Sequence, residues 1–453
     1  MFAHRASKKS RSSQSPTRVI VSSFVVVILI GALLLMLPIS THNGISALDA
    51  FFTATSATCV TGLVAVDTGT AFTGFGQAVV LCLIQIGGLG LVTLTSFFTL
   101  FIRRRMGFRS LQVAGESISA SNLEQVRTLL RIVIRVALLC EGLGAVLLGF
   151  VFIPQFGAQG IWVSVFTSIS AFCNAGFDIL GQFFAPYCSL TAYTGNWFVQ
   201  AVVMALIISG GLGFIVWQEL AAWRTTRHLS LHSRVVLAGT GILIVLGTLF
   251  FALLEWDHVL DGMSFGDKLA ASLFQSVSAR TAGFNTVDLA DTTLTTRLMM
   301  CILMFIGAAP AGTGGGIKVT TVSVLLVTVL SVVQGKEDAS IFGRQIPKRA
   351  VYRSLSIAIL SLFAVLAAAV TIFFNTGSAV NEFNSLFEAV SAFGTVGLSV
   401  GVTGFMAPAA KAITMLTMFI GRVGPVSLAI SLSMPPDPHS KWEVLPVGKI
   451  VVG

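Results

Sequence analysis

Four short loops in this sequence carry the residues best suited to binding a cation, because each loop places a glycine beside backbone carbonyl groups. Glycine reaches backbone angles that other residues avoid, so successive carbonyl groups next to it can point the same way. A ring of such oxygens can replace the hydration shell of an alkali cation. The sequence therefore predicts a cation-binding ring from four triplets: Val60, Thr61 and Gly62; Asn174, Ala175 and Gly176; Thr281, Ala282 and Gly283; Thr395, Val396 and Gly397.

One hexapeptide pattern, Phe-x-x-x-Ser-Ala, precedes every loop glycine. The glycines are separated by 114, 107 and 114 residues, so the pattern indicates four internal repeats. The third loop is one residue shorter than the others, and Arg280 lies in its shortened part. The sequence gives no physical reason for this difference. The four copies of the hexapeptide begin at Phe52, Phe166, Phe274 and Phe387.

The elements that must position the loops follow one order in every repeat. A long apolar run is followed by an amphipathic segment of about a dozen residues, too short to span a bilayer and therefore predicted to be re-entrant. The glycine loop and a second long run come next. The predicted fold is an all-α polytopic membrane protein: four helix–pore-loop–helix repeats, with eight spanning helices and four re-entrant pore helices, around one central pore. The first runs are 19–38, 130–153, 235–254 and 354–374, and the second are 77–102, 198–220, 295–332 and 410–432.

Composition and charge agree with a membrane protein. Of 453 residues, 55% are hydrophobic and 10% are charged, against about 25% charged in soluble domains. A soluble enzyme, a disulfide scaffold and a disordered chain are therefore excluded. Five clusters hold 22 of the 28 lysines and arginines, and by the positive-inside rule these clusters and both termini are predicted to be cytoplasmic, in a multi-pass protein of the cell membrane.

The predicted domains follow from these clusters and runs. The chain is divided into a cytoplasmic basic tail (1–18), repeat 1 (19–102), a cytoplasmic hairpin with repeat 2 (103–220), repeat 3 with a broken second helix (221–335), a cytoplasmic linker with repeat 4 (336–433) and a cytoplasmic C-terminal tail (434–453).

Metal and cofactor sites are not expected in this chain, apart from an alkali cation in the glycine loops. The six cysteines form no CxxC pair, and the six histidines form no HxH or HExxH pattern. These are the spacings with which cysteine and histidine usually bind transition metals.

The second apolar run of repeat 3 is interrupted between Gly307 and Gly316. Pro310 and five glycines in this stretch break a helix. A phosphate-binding loop is excluded because Lys318 does not directly follow the last glycine. A harmless kink and an intramembrane gate remain open, and few side chains are expected to fix one conformation. The predicted gate residues are Gly307, Pro310, Gly312, Gly314, Gly315, Gly316, Lys318 and Arg422.

Arg422 belongs to a second glycine motif, which follows each loop. The motif covers Ile86–Gly90, Ser209–Gly213, Ile306–Gly307 and Ile420–Gly424, and such glycines permit close helix packing. Arg422 takes the place of a glycine in its copy. A charge within the membrane usually faces a pore or a partner, so Arg422 either repels permeating cations or pairs with a carbonyl or carboxylate group.

Two of the loop sequences resemble pore loops of a known family. The segments SATCVTGL (residues 56–63) and SARTAGF (278–284) are similar to the first and third pore loops of the Ktr/Trk/HKT superfamily of potassium transporters, particularly the Ktr membrane subunit. The resemblance covers about residues 19–433. It implies potassium uptake through a selectivity filter, a gate in the interrupted helix, and an arginine below the filter. Glycine in the first loop goes with potassium preference.

The resemblance also implies partners and leaves alternatives open. A homodimer, a KtrA-like cytosolic nucleotide-binding regulatory ring and membrane lipids are expected partners, and nucleic acid is not. Sodium either drives uptake, as in a symporter, or only activates it. A sodium-selective or non-selective cation transporter and an alternating-access transporter remain alternatives, although repeats of the same orientation disfavour the latter. An enzyme is not expected, because Glu141, Lys318 and Arg422 lie in different repeats.

Overall fold

The computed structural model describes residues 16–90, 123–377 and 380–432. Most of the predicted basic tail, much of the cytoplasmic hairpin and the predicted C-terminal tail lie outside the described residues. Within the described residues the helices are α1 (Pro16–Leu35), α2 (Ala47–Cys59), α3 (Thr68–Ala71), α4 (Gly74–Leu89), α5 (Leu123–Phe156), α6 (Gln159–Phe172), α7 (Trp197–Gly211), α8 (Phe214–Thr226), α9 (Leu231–Glu255), α10 (Phe265–Ser278), α11 (Leu294–Phe305), α12 (Val319–Val333), α13 (Lys348–Thr376), α14 (Glu382–Gly394), α15 (Pro408–Val423) and α16 (Pro425–Leu432).

Four long helices begin the four units. Among the described residues, α1, α5, α9 and α13 contain stretches that are long and apolar enough to cross a membrane. Their outward side chains are strongly exposed, as with Leu139 and Phe363 at 72% and 73%. Large apolar side chains on a continuous exposed surface are typical of helices that face lipid rather than water.

Four short helices, α2, α6, α10 and α14, pack against the long helices that precede them. Each ends between zero and three residues after the serine of the hexapeptide pattern. The phenylalanine that opens each hexapeptide and the alanine that closes it are fully buried, at 0% exposure in all four copies. Burial of a phenylalanine side chain is worth about 1.5–3 kcal/mol, so the repeated pattern anchors the short helices in the core.

Three of the four second runs, those of repeats 1, 2 and 4, are interrupted at a glycine, which corrects the prediction; residues 91–102 of the run in repeat 1 lie outside the described residues. The helix α4 ends at Leu89, α7 and α8 meet at an angle of 98°, and α15 gives way to α16. The reason is the last glycine of the second motif: Gly90, Gly213 and Gly424 have φ angles of 80°, 85° and 90°. Only glycine adopts this backbone conformation readily, and it cannot continue an α-helix.

The chain also contains short β-ladders, so it is not purely helical. Strands β1 (Ile306–Gly307) and β2 (Ile317–Lys318) pair in parallel and close the base of the interrupted segment in repeat 3. Strands β3 (Ser340–Ile341) and β4 (Arg344–Gln345) form an antiparallel hairpin in the predicted cytoplasmic linker.

The first and last units are in direct contact. Helix α15 packs against α2, and Lys411 Nζ lies 2.6 Å from Asp49 Oδ1 in a partly buried ion pair. Because the two residues are 362 positions apart, this contact brings the fourth unit back to the first.

Candidate functional site

A left-handed residue follows the end of each short helix within three residues, and the loop glycine comes two residues after it. The φ angles of Val60, Asn174, Thr281 and Thr395 are 57°, 57°, 76° and 49°. Left-handed backbone costs a non-glycine residue about 1–2 kcal/mol, and such strain is typical of functional sites. The loop glycines are also left-handed, at 88°, 69°, 82° and 92° in chain order.

A closed ring joins the four glycines, because each lies directly against the loop of the next unit. A side-chain carbon added to Gly62 would lie 2.3 Å from the carbonyl oxygen of Ala175. The corresponding distances for the second, third and fourth glycines are 2.6 Å to Ala282, 2.3 Å to Val396 and 2.2 Å to Thr61. The contacts therefore run from first loop to second, to third, to fourth and back to first. No larger residue fits without movement of the backbone.

The structure explains the shorter third loop. In the other three loops, the residue before the glycine donates its N–H to the carbonyl group of the hexapeptide serine five residues earlier. In the third loop Ala282 donates to Ser278, four residues earlier, at 2.9 Å. The five-residue bond is made one position later, from Gly283 N to the same carbonyl group at 3.4 Å, so Gly283 still reaches the ring. The side chain of Arg280 is buried and donates to the Thr240 hydroxyl of α9 at 3.4 Å.

The interrupted segment of repeat 3 lies directly against these loops. The side-chain amide of Asn174 is 3.2 Å from the Thr313 hydroxyl and 3.1 Å from the Thr281 hydroxyl. A carbon added to Gly314 would lie 2.1 Å from Thr281 Oγ1, and one added to Gly315 would lie 2.3 Å from Thr395 Oγ1. Three consecutive residues of the segment thus each contact the left-handed residue of a different loop.

Backbone hydrogen bonds fix this segment, contrary to the expectation of few contacts. Two successive glycine carbonyl groups at the end of α7 accept from the segment: Gly211 from Ala309 N at 3.0 Å, and Gly210 from Thr313 N at 3.1 Å. On the opposite side, Gly316 N donates to Gly421 O of α15 at 3.3 Å. The absence of side chains allows this close backbone approach, so glycine adds contacts here instead of removing them.

Two basic residues bind carbonyl groups of the same segment. Lys318 Nζ donates to Gly314 O at 2.5 Å and to Gly315 O at 3.3 Å. The guanidinium of Arg422 donates to the carbonyl group of Thr313 and, on its other arm, to that of Gly87 in α4. A planar guanidinium can hold two acceptors in fixed directions at once. Arg422 therefore connects the segment to the first unit.

The predicted site residues fall into two touching groups. The last two residues of every triplet form the contacts of the glycine ring, and the first residues of three triplets contact the interrupted segment. Pro310 of that segment lies beside Gly213. Thr313 was missed by the prediction, although it is the only polar side chain between Gly307 and Gly316. That isolated hydroxyl was the available signal, because a polar side chain within an apolar run needs a hydrogen-bond partner.

The chain is similar to known cation transport proteins over nearly its whole length. A family model described as TrkH, cation transport protein, matches residues 1–442. The Ktr system potassium uptake protein B of Bacillus subtilis is 38% identical over 443 residues, which are 97% of each chain. The potassium/sodium uptake protein NtpJ of Enterococcus hirae is 37% identical, over 94% of each chain.

The fold is also similar to a solved structure. The crystal structure of the potassium transporter TrkH from Vibrio parahaemolyticus matches with a TM-score of 0.70 at 21% identity, covering 95% of this chain and 87% of that one. With the family model matching nearly the whole chain, this protein belongs to the TrkH family of cation transport proteins, which are membrane ion transporters and not enzymes.

Proposed function

We propose that the protein takes up potassium across the cell membrane, with channel-like permeation through the four glycine loops. The observation that carries the proposal is the cyclic contact of Gly62, Gly176, Gly283 and Gly397. Four loops in such contact can offer their backbone oxygens to one cation at a time. Relatives named as potassium uptake proteins support potassium as the transported ion.

The filter is proposed to consist of the twelve triplet residues. Among the described residues, the buried hydroxyl oxygens of Thr61 and Thr395 have no hydrogen-bond partner. A buried oxygen without a partner is unfavourable, and a cation that has shed its water would satisfy it. Both hydroxyl groups belong to the loops themselves, so they support a cation path through this ring.

The gate is proposed to be the segment between Gly307 and Gly316 together with Lys318 and Arg422. The segment packs against three of the four loops, and broken backbone at membrane depth is tolerated only within protein or beside water. In this position it blocks one side of the ring. Lys318 and Arg422 hold it there through carbonyl groups, so displacement of the segment would open the path.

The assembly is proposed to be a homodimer, surrounded by membrane lipids, with both termini in the cytoplasm. A KtrA-like nucleotide-binding ring is the proposed cytosolic regulator, since relatives are named as members of a Ktr system. The basic stretch from Lys336 to Arg353, which includes the first turns of α13, follows α12 directly, and α12 follows the gate segment. Force applied to the linker would therefore reach the gate through one helix.

A sodium-linked function is the second candidate. The Enterococcus hirae relative is named a potassium/sodium uptake protein, so sodium is proposed either to drive the uptake or to activate it. A sodium-selective or non-selective pore and an alternating-access cycle are the competing mechanisms.

Growth and flux measurements test the proposed function together. The protein is expected to restore growth at low potassium in a host that lacks potassium uptake systems. In liposomes, it is expected to carry potassium down its gradient, and added sodium shows whether flux is driven or only activated. Growth rescue by sodium alone, or equal fluxes of both ions, would replace potassium selectivity with one of the alternatives.

A further inference from the structure

The serine of the repeated hexapeptide is in contact with its glycine loop in all four units. Ser56, Ser170, Ser278 and Ser391 are each 0% exposed. The backbone carbonyl group of each accepts the N–H of the residue before the loop glycine, at 2.8, 2.8, 2.9 and 2.9 Å in chain order. This bond uses no side chain, so it does not explain why the residue is serine.

The hydroxyl groups make a second bond, and they do so in two ways. In the first and fourth units the hydroxyl accepts the N–H of the loop glycine, from Gly62 and Gly397, at 3.1 Å in both. In the second and third units the hydroxyl instead donates to the carbonyl group of the residue after the glycine. For Ser170 and Phe177 that distance is 2.7 Å, and Ser278 makes the same bond to Phe284.

The kind of bond that the serine makes correlates with the type of residue after the glycine. The loops with an accepting serine continue with Leu63 and Leu398, and those with a donating serine continue with Phe177 and Phe284. The first and fourth loops are neighbours in the ring, as are the second and third. The ring therefore has two unlike halves, although the same sequence pattern builds all four loops.

Other serines in the same short helices make no such bond. Ser164, Ser272 and Ser385 lie six residues before the hexapeptide serines of their helices and are 2%, 0% and 0% exposed. Each donates its hydroxyl to a carbonyl group of its own helical turn, at 2.6, 2.7 and 3.2 Å. These serines match the hexapeptide serines in burial and lie in the same helices, but their hydroxyl groups form hydrogen bonds within the helix instead of with a loop.

We propose that Ser56, Ser170, Ser278 and Ser391 are positioning residues that hold the glycine ring at the size that discriminates potassium from sodium. The inference rests on the proposed filter function of the ring. In the accepting pair the bonded group belongs to the glycine itself, whereas in the donating pair it lies one residue further along. A buried N–H left without an acceptor is tolerated less often than a carbonyl group left without a donor. Ser56 and Ser391 therefore control the ring more strongly.

The test measures the preference for potassium over sodium in liposomes that contain the purified full chain. Each of the four serines is changed to alanine and, separately, to cysteine. Alanine leaves a small void and removes the bond, whereas cysteine fills the space but is a weak hydrogen-bonding group. Ser164→Ala, Ser272→Ala and Ser385→Ala are the matched controls, and a single symmetric peak in size-exclusion chromatography identifies folded variants.

We expect both Ser56→Ala and Ser56→Cys to lower the potassium preference about tenfold, the effect of leaving one buried N–H unpaired. The Ser391 variants should lower this preference to the same extent. The Ser170 and Ser278 variants should lower it severalfold, and the control variants should keep the wild-type preference. Folded alanine and cysteine variants with the wild-type preference for potassium over sodium would overturn the inference. It would also be overturned if the cysteine variants kept the wild-type preference while the alanine variants lost it, because side-chain volume would then be the cause.

Gly62→Ser, measured in the same assay, separates this inference from the filter proposal. If Gly62→Ser shifts the ion preference while the serine variants do not, the filter stands and the positioning role is refuted. If Gly62→Ser also leaves the preference unchanged, the filter proposal fails and the inference fails with it.

Discussion

Gly62 and Gly283 are the residues at which the filter proposal can be tested most directly. Both have positive φ angles, and both face a carbonyl oxygen at 2.3 Å from the position of an added carbon. We expect Gly62→Ser to shift preference toward sodium and Gly283→Ser to lower apparent potassium affinity, each about tenfold or more, because the ring must expand. Ion competition in liposomes measures both quantities.

Two other glycines provide controls for these variants. Gly44 and Gly262 also have positive φ angles, 75° and 74°, but an added carbon would meet nothing within 4 Å. Serine at these positions imposes backbone strain without disturbing the ring. If Gly44→Ser and Gly262→Ser change selectivity as much as the loop variants do, strain and not ring geometry is the cause.

Two substitutions of Arg422 distinguish the effect of its charge from the effect of its bridging hydrogen bonds. Its guanidinium connects Thr313 to Gly87, so Arg422→Ala is expected to free the gate segment and raise potassium conductance severalfold. Arg422→Lys keeps the charge but cannot hold both carbonyl groups in the same geometry. Single-channel or liposome flux recordings should therefore place the lysine variant near alanine if bridging matters. A lysine variant that behaves as wild type would assign the role to charge repulsion, and wild-type flux in both variants would leave Arg422 as a structural residue.

At the scale of elements, the segment between β1 and β2 is the proposed gate. Because the parallel pair joins its two ends, removal of Ala311 to Gly315 shortens the segment without removing its base. We expect this deletion to give potassium flux that no longer needs the cytosolic partner. Liposome flux with the membrane chain alone is the measurement, and a folded deletion variant as slow as the wild type would show the glycines to be a mere kink.

A point variant tests the same element without a deletion. Gly314 does not have a positive φ angle, but its added carbon would lie 2.1 Å from Thr281 Oγ1. Gly314→Ala is expected to push the segment away from the loops and increase partner-independent flux severalfold. Gly142→Ala is the control, since Gly142 lies in α5 with nothing within 4 Å. Reduced flux in Gly314→Ala would instead mean that the segment is wedged more tightly into the path.

At the scale of the whole molecule, the basic linker between repeats 3 and 4 is the proposed contact for the cytosolic ring. Arg344 lies in β4, and Lys348 and Arg349 begin α13, so all three lie close to the hairpin. We expect neutralising these three residues to reduce recovery of the cytosolic subunit in pull-down by about tenfold, because surface charge steers such association. Undiminished recovery would remove the linker from this interface and leave anionic lipid as its partner.

The sequence alone determined the features that are local in the chain. Hydropathy located the ends of the four long helices to within seven residues, since the length of an apolar run is read directly from the sequence. The Phe-x-x-x-Ser-Ala pattern located the short helices and their loops, and the isolated arginine marked a special position in the last repeat. These signals depend on neighbouring residues only.

Tertiary structure decided everything that joins distant repeats. No local pattern encodes the backbone paths that bring Gly397 against Thr61 and Gly314 against Thr281. The same is true of the two ways in which the hexapeptide serines form hydrogen bonds. The breaks at Gly90, Gly213 and Gly424 were also missed, because a glycine in an apolar run is compatible with either close helix packing or a helix end. The choice depends on what the neighbouring helices supply, and that is fixed only when all four units pack together.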